Sequence, residues 1–303
     1  MLPKLEGFAV ALLGSLDPAQ LAAVAGELRS LEQTILGRPE LRAVLTDTSI
    51  SGHARGEILR DLLSNKVDAA SLRLSVYAAS AAPAQEVPRA VDELATAATI
   101  LSESGVFPQA NLGHIEARKR VSGFADEVLD DIGVDDFASV EEELFRWART
   151  IEANLDLRRL LLDRDAPLEA RLATVKQLLQ GKVNDVTLRL ALYVIEGGRP
   201  RDVVGTLDYL VDFVAKSRDW RVARIFTARP LDQASQDSLV ASLKTLTGKN
   251  VELQIAEEPE LLGGVLVEVG DLRLDATTRG RLGVLHDAVA SKHLYESSMT
   301  RND

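Results

Sequence analysis

A chain of 303 residues with 46% apolar content is long enough to bury two or three cores, and aromatics at only 4% favour helices packed through Leu, Ala and Val over an aromatic-rich β-sandwich. Cysteine is absent, which excludes disulfides, thiolate metal sites and thiol nucleophiles and fits a reducing compartment. The net charge of −11 is spread without a basic stripe, against nucleic acid as the main ligand, and no apolar run approaches the roughly 18 residues of a membrane span, Met1 to Gly14 being short and broken by Lys4 and Glu6.

The first two thirds of the chain repeat at a constant offset of 116 residues. Leu41, Arg42, Leu45 and Asp47 return as Leu157, Arg158, Leu161 and Asp163, and Ala54, Arg55, Leu62 and Leu63 as Ala170, Arg171, Leu178 and Leu179. Lys66, Val67, Leu72, Arg73, Leu74 and Tyr77 return as Lys182, Val183, Leu188, Arg189, Leu190 and Tyr193. An ungapped repeat of this length defines two copies of one folding unit, followed by a single tail.

In the first copy Asp17 and Pro18 supply an N-cap and a first-turn proline for a long helix. Leu21, Val24, Leu28, Leu31 and Ile35 lie on one face of it. The same positions in the second copy are Phe137, Val140, Leu144, Trp147 and Ile151, with Asp135 expected as the cap. Shorter helices are predicted after Pro39, near Ser51, after Asp68 and over Pro83 to Leu101, and are mirrored by start signals at Pro167, Asn184 and Pro200. Each copy reads as a bundle of about six helices. These bundles span 1–101 and 114–218, and Ser, Gly, Pro and Asn collect in a linker over 102–113.

From 219 to 303 the pattern changes. Val222 to Phe226 and Val251 to Ile255 read as strands around a helix capped by Asp232 and running through Leu246. Gly263 to Val269, Gly270-Asp271 and Leu272 to Leu274 read as a hairpin, and Thr277 to Ala290 as a closing helix. The predicted fold is mainly α, two tandem six-helix bundles, with a small α+β C-terminal domain.

The tail resembles the delta subunit of bacterial F-type ATP synthases, the relative of the mitochondrial oligomycin-sensitivity-conferring protein. Its C-terminal signature stands here as Glu258, Pro259, Leu262, Gly263, Gly264, Gly270, Asp271, Asp275 and Leu282, preceded by Thr227, Ala228, Pro230 and Leu231 and by Gly248 and Lys249. The family's first-helix segment is matched by Phe8, Ala9, Ala11 and Leu12, with Phe124 and Ala125 in the second copy. An ordinary member has one bundle; two in tandem resemble the actinobacterial pattern, in some cases fused behind a membrane-anchored b-type segment. No such segment precedes Met1, so a free subunit or a piece of a fusion is expected. The resemblance implies a non-enzymatic stator subunit, one copy per complex, without cofactor or metal. It implies a bundle gripping the N-terminal helices of the alpha subunits and a tail binding a b-type stalk, peripherally on the cytoplasmic face of the bacterial cell membrane, with no membrane insertion and no nucleic acid. The alternative is a helical scaffold for an unrelated amphipathic helix.

No catalytic, cofactor-binding or metal site is read from the residues. The Gly263, Gly264 and Gly270 cluster is flanked by strands, whereas a phosphate loop leads into a helix. Asp130-Asp131, Asp135-Asp136 and Glu141 to Glu143 are adjacent on helices and diverge by about 100°. His53, His114, His286 and His293 have no partners at triad or zinc-binding spacing. Two alternatives stay open for Arg42/Arg158, Arg73/Arg189 and Tyr77/Tyr193: interface residues, or capping and intrabundle ion pairs inherited with the fold. A groove between bundle helices is the preferred binding surface. Gly198-Arg199 in the second copy resemble the family's Gly-Arg turn, where the first copy has Ala82-Pro83, and this resemblance implies that the first bundle is the diverged copy.

Overall fold

A computed structural model describes residues 1–108, 111–130, 132–163, 165–219, 222–247, 251–258, 261, 263–269 and 272–278. It divides into two compact units, Met1–Val214 and Ala215–Asp303. The expected Gly270-Asp271 turn and the closing helix beyond Thr278 lie outside the described residues.

The first unit begins with α1 (Pro3–Leu13), α2 (Pro18–Gly37), α3 (Pro39–Thr46), α4 (Gly52–Leu63), α5 (Ala69–Ala81) and α6 (Val87–Ser104). Asp17 caps α2 in a capping box, accepting from Gln20 N–H while the Gln20 side chain accepts from Asp17 N–H. Ser51 and Asp68 cap α4 and α5. Pro83 opens a single 3₁₀ turn, Ala84–Glu86, before α6, because its fixed φ and missing N–H suit a turn start better than an unbroken helix. α6 outlasts its expected end at Leu101 and stops at Gly105, whose φ of 67° closes it in the left-handed conformation.

The second set is α7 (His114–Val128), α8 (Val134–Ala153), α9 (Leu155–Leu162), α10 (Leu168–Leu179), α11 (Asp185–Glu196) and α12 (Val203–Asp219). The cap of α8 is Gly133, not Asp135. Gly133 is the residue 116 positions after Asp17, so the fold keeps the register of the repeat and leaves Asp135 and Asp136 in the first turn, where negative charge suits the helix dipole. Pro200 opens a 3₁₀ turn, Pro200–Asp202, ahead of α12. A second repeated device tethers the long helix to the fifth: Glu27 accepts from Asp68 N–H at 3.0 Å, and Glu143 from Asn184 N–H at 2.9 Å.

Each half closes around its own core. Leu21, Val24, Leu28, Leu31 and Ile35 of α2 pack with Leu45, Leu59, Leu74 and Leu94. Phe137, Val140, Leu144, Trp147 and Ile151 of α8 pack with Leu161, Val175, Leu190 and Leu210. At roughly 1.5–3 kcal/mol for each buried side chain, either stripe anchors its helix.

The second unit holds β1 (Val222–Thr227), α13 (Gln233–Thr247), β2 (Glu252–Glu257), β3 (Val265–Val269) and β4 (Leu272–Asp275). The sheet order is β2-β1-β3-β4. β1 and β2 run parallel, which requires a crossover, and α13 supplies it; β1 with β3 and β3 with β4 are antiparallel. Ala223, Ile225, Val267 and Val269 form the core with Leu243 of α13.

Candidate functional site

The repeated positions converge where α1 crosses α7. Glycine makes the crossing possible at two positions related by the repeat. A Cβ on Gly7 would lie 1.8 Å from the Arg120 carbonyl oxygen, and one on Gly123 would lie 1.8 Å from that of Lys4. Each helix backbone therefore rests directly on the other, at a distance any side chain would forbid. α1 also places Ala11 within the second core and Val10 against it.

Stacked aromatics flank the crossing symmetrically. Phe8 stacks on Tyr77 of α5, and Phe124 on Tyr193 of α11, each pair with ring centroids 3.8 Å apart. Such pairs add about 0.5–1.5 kcal/mol beyond their burial. The polar groups break the symmetry. The Tyr77 hydroxyl donates to Asp126 of α7 at 2.7 Å, and Lys4 pairs with the same carboxylate at 3.0 Å. The Tyr193 hydroxyl is buried without a hydrogen-bond partner among the described residues; Val10 stands at the repeat position of Asp126. Burial, then the charge of Asp126, push the Tyr77 phenol well above its ordinary pKa, and burial raises that of Tyr193 as well.

Across the same crossing runs a buried ion pair. Glu6 of α1 and Arg120 of α7 meet at 2.9 Å, with side chains 2% and 5% exposed. Arg120 Nε also donates to the Gly197 carbonyl at 2.8 Å, closing the C-terminal end of α11. Arg73 of α5 pairs with Glu127 of α7 at 2.9 Å and with Asp130 at 3.4 Å. α7 thus packs over α1 and reaches α5, joining the two halves of the repeat.

The residues singled out from sequence divide accordingly. Arg73 and the two tyrosines belong to the internal interface, whereas Arg42, Arg158 and Arg189 are exposed and form no ion pair among the described residues. Asp130 is held by Arg73, Asp131 lies outside the described residues, and Glu143 accepts the Thr187 hydroxyl at 2.7 Å. His53 and His114 lie on separate helices, and His286 and His293 fall outside the described residues. Among the described residues no group of three His, Cys, Asp or Glu is placed to hold a metal ion. The pair Gly7 and Gly123 escapes a search for chemistry, although its spacing of 116 residues is the visible signal.

In the tail, Gly263 and Gly264 adopt φ of 140° and 82° and lead into β3 rather than a helix. Asp275 closes the turn after β4, accepting from the Thr277 hydroxyl at 2.6 Å and its N–H at 2.9 Å, and these bonds lower its pKa. Pro259, Leu262, Gly270, Asp271 and Leu282 are outside the described residues.

The family model for ATP synthase delta (OSCP) subunits matches residues 131–289, which takes in most of the second copy and the tail. The chain belongs to the ATP synthase delta (OSCP) subunit family. It is 32% identical to the ATP synthase subunit delta of Salinispora arenicola, over 91% of both chains. With the ATP synthase subunit delta of Nocardia farcinica it is 32% identical over 94% of this chain and 95% of that one. A chain of the Toxoplasma gondii mitochondrial ATP synthase hexamer matches 57% of this chain and 97% of its own at 18% identity, with a TM-score of 0.26. The similarity to the actinobacterial delta subunits runs through both copies of the repeat, so the tandem arrangement is shared with them. No helix among the described residues is long and apolar enough to cross a membrane.

Proposed function

We propose that this chain is a non-catalytic stator subunit of the peripheral stalk, tying the catalytic head of an F-type ATP synthase to a b-type stalk and holding it against rotor torque during proton-driven synthesis. The observation that carries the reading is the end-to-end similarity to delta subunits, over 91% of both chains in the Salinispora arenicola case. The packing supports it: an adaptor under torque needs extended binding surfaces on a body that does not come apart, and the α1/α7 crossing joins both bundles into one unit. In this reading the bundle unit binds the N-terminal helices of the alpha subunits, the tail domain binds the end of a b-type helix, and one chain serves each complex. Several weak contacts on one body hold together better than any one of them, because each engaged site raises the effective concentration of the next. The chain sits peripherally at the cytoplasmic face of the bacterial membrane through these partners.

Titration of the full chain with a labelled peptide of an alpha-subunit N-terminal helix, and separately with a C-terminal b-type helix, tests the reading. Saturable binding of both supports the adaptor. Binding of neither leaves a scaffold for another amphipathic helix, and ATP turnover by the purified chain alone would contradict a non-catalytic role.

A further inference from the structure

The α1/α7 crossing is occupied from within the chain, so a partner helix needs an open face, and the exposed side of α9 offers one. Leu155, Arg158, Arg159 and Leu162 recur at three- and four-residue spacing and, with Asp163, line an open cleft of about 530 Å³. Leu155 is 63% exposed and lies beside the two arginines on the same face. Arg158 forms no ion pair among the described residues, and Arg159 reaches only the exposed Asp156, at 3.7 Å.

The first copy shows that the fold does not require this face. Its corresponding residues are Pro39, Arg42, Ala43 and Thr46, so the two leucines and the second arginine belong to the second copy alone. The 3₁₀ turn Pro200–Asp202, packed against α9, brings Arg199 and Arg201 where the first copy has Pro83 and Gln85. Of the nearby acids, Asp202 is neutralised by Arg118, while Asp156 and Asp163 stay charged beside the arginines. Asp202 takes two bonds of 2.8 Å from Arg118, and Asp163 caps the N–H of Asp165. In a chain of net charge −11, one end of the second bundle therefore gathers Arg158, Arg159, Arg199 and Arg201 around the exposed Leu155 and the half-buried Leu162.

We propose that this α9 face is the docking site for an acidic amphipathic helix of a partner subunit, its apolar residues seated on Leu155 and Leu162 and its carboxylates on Arg158 and Arg159. This assignment rests on the stator reading, with the second bundle as the one that meets the head. Charge complementarity selects the occupant: a basic or neutral helix would leave the arginines desolvated and unpaired.

The test is a fluorescence titration of the full chain with the alpha-subunit N-terminal peptide at low and at moderate salt, for the wild type, Arg158→Glu/Arg159→Glu, Leu155→Ser and, in the first copy, Arg42→Glu. All four positions are exposed, and an unchanged circular dichroism melt confirms each fold. Wild-type affinity should fall with salt, and the double reversal should weaken binding by about tenfold or more. Leu155→Ser should also weaken it, and Arg42→Glu should leave it within about twofold. Equal binding by wild type and the double reversal overturns the α9 site and leaves the stator reading standing. Absence of binding by the wild type overturns both. Self-association of the wild type that the double reversal abolishes would make a second copy the occupant, and overturns the assignment to a partner subunit.

Discussion

Gly7→Ala and Gly26→Ala are the same chemical change with opposite expected outcomes, and the contrast tests whether the two bundles are joined at the α1/α7 crossing. Gly26 lies in α2 with nothing within 4 Å of an added Cβ, so the substitution only restricts the unfolded chain and improves helix propensity, a gain of about 0.5–1 kcal/mol. At Gly7 the same gain is opposed by a Cβ placed 1.8 Å from Arg120 O, 2.8 Å from Arg120 C and 2.8 Å from Phe124 N. All three are backbone atoms, so no side chain can swing aside, and the two helices must part by roughly 1.5 Å to restore ordinary contact. Parting them loosens the packing of Ala11 in the second core and lengthens the buried Glu6–Arg120 pair. Overpacking alone costs about 1–3 kcal/mol, and with the weakened pair a net loss of about 2 kcal/mol or more is expected after the propensity gain. Gly123→Ala should behave alike, and the double variant should lose less than the sum, because the first substitution has already opened the crossing. Urea unfolding followed by circular dichroism reads the four variants against the wild type. If Gly7→Ala proves as stable as the wild type, or gains as Gly26→Ala does, the bundles are not packed through this crossing.

Other consequences follow from the broken symmetry of the repeat. Tyr77→Phe removes a hydroxyl that donates to a carboxylate and should cost about 1.5–3 kcal/mol, whereas Tyr193→Phe removes a buried hydroxyl with no partner among the described residues and should be neutral or stabilising in the same urea assay. Arg55 donates to the carbonyls of Ile50, Ala79 and Ala82, whereas Nε and Nη1 of its copy Arg171 have no partner among the described residues. Arg55→Met should therefore destabilise by several-fold more than Arg171→Met, measured by thermal melting. The tyrosines also set an alkaline limit. Both folded-state pKa values are raised, so their contribution is complete below the unfolded-state value of about 10 and is lost as pH rises above it towards the folded values. Each should give up about 1.4 kcal/mol per pH unit in that window. Urea midpoints falling between pH 9 and 11.5 in the wild type, and falling less in Tyr77→Phe/Tyr193→Phe, would bear this out; parallel curves would contradict it.

Much of the bundle architecture is legible because it is written twice. The five-residue stripe of α2 keeps its apolar character in α8 even where Leu21 and Leu31 are replaced by Phe137 and Trp147, and a face that survives such replacement is a core face. Even the one misplaced cap was readable, since Gly133 stands at the repeat position of Asp17 while Asp135 only has the better side chain. The strands of the tail were recognisable by alternation, with their ends shifted by one or two residues, as at Glu252–Glu257. The internal interface was not legible. Gly7 and Gly123 look like ordinary helix glycines until the other helix is laid on them, and Glu6 and Arg120 lie 114 residues apart with no local pattern linking them. The arginines illustrate the same limit: Arg73 and Arg189 are one position in sequence, yet one is tied to Glu127 and its copy faces solvent, because the partner acids occur on α7 and not on α1.

The central claim, that the chain ties a catalytic head to a stalk, is tested most directly by rebinding. Membranes carrying the synthase are stripped of their heads and of this subunit, and the purified head is returned with or without the purified chain. The account predicts that heads sediment with the membranes and regain proton-coupled ATP synthesis only when the chain is present, at about one chain per head. Full rebinding and full coupling without the chain would contradict it.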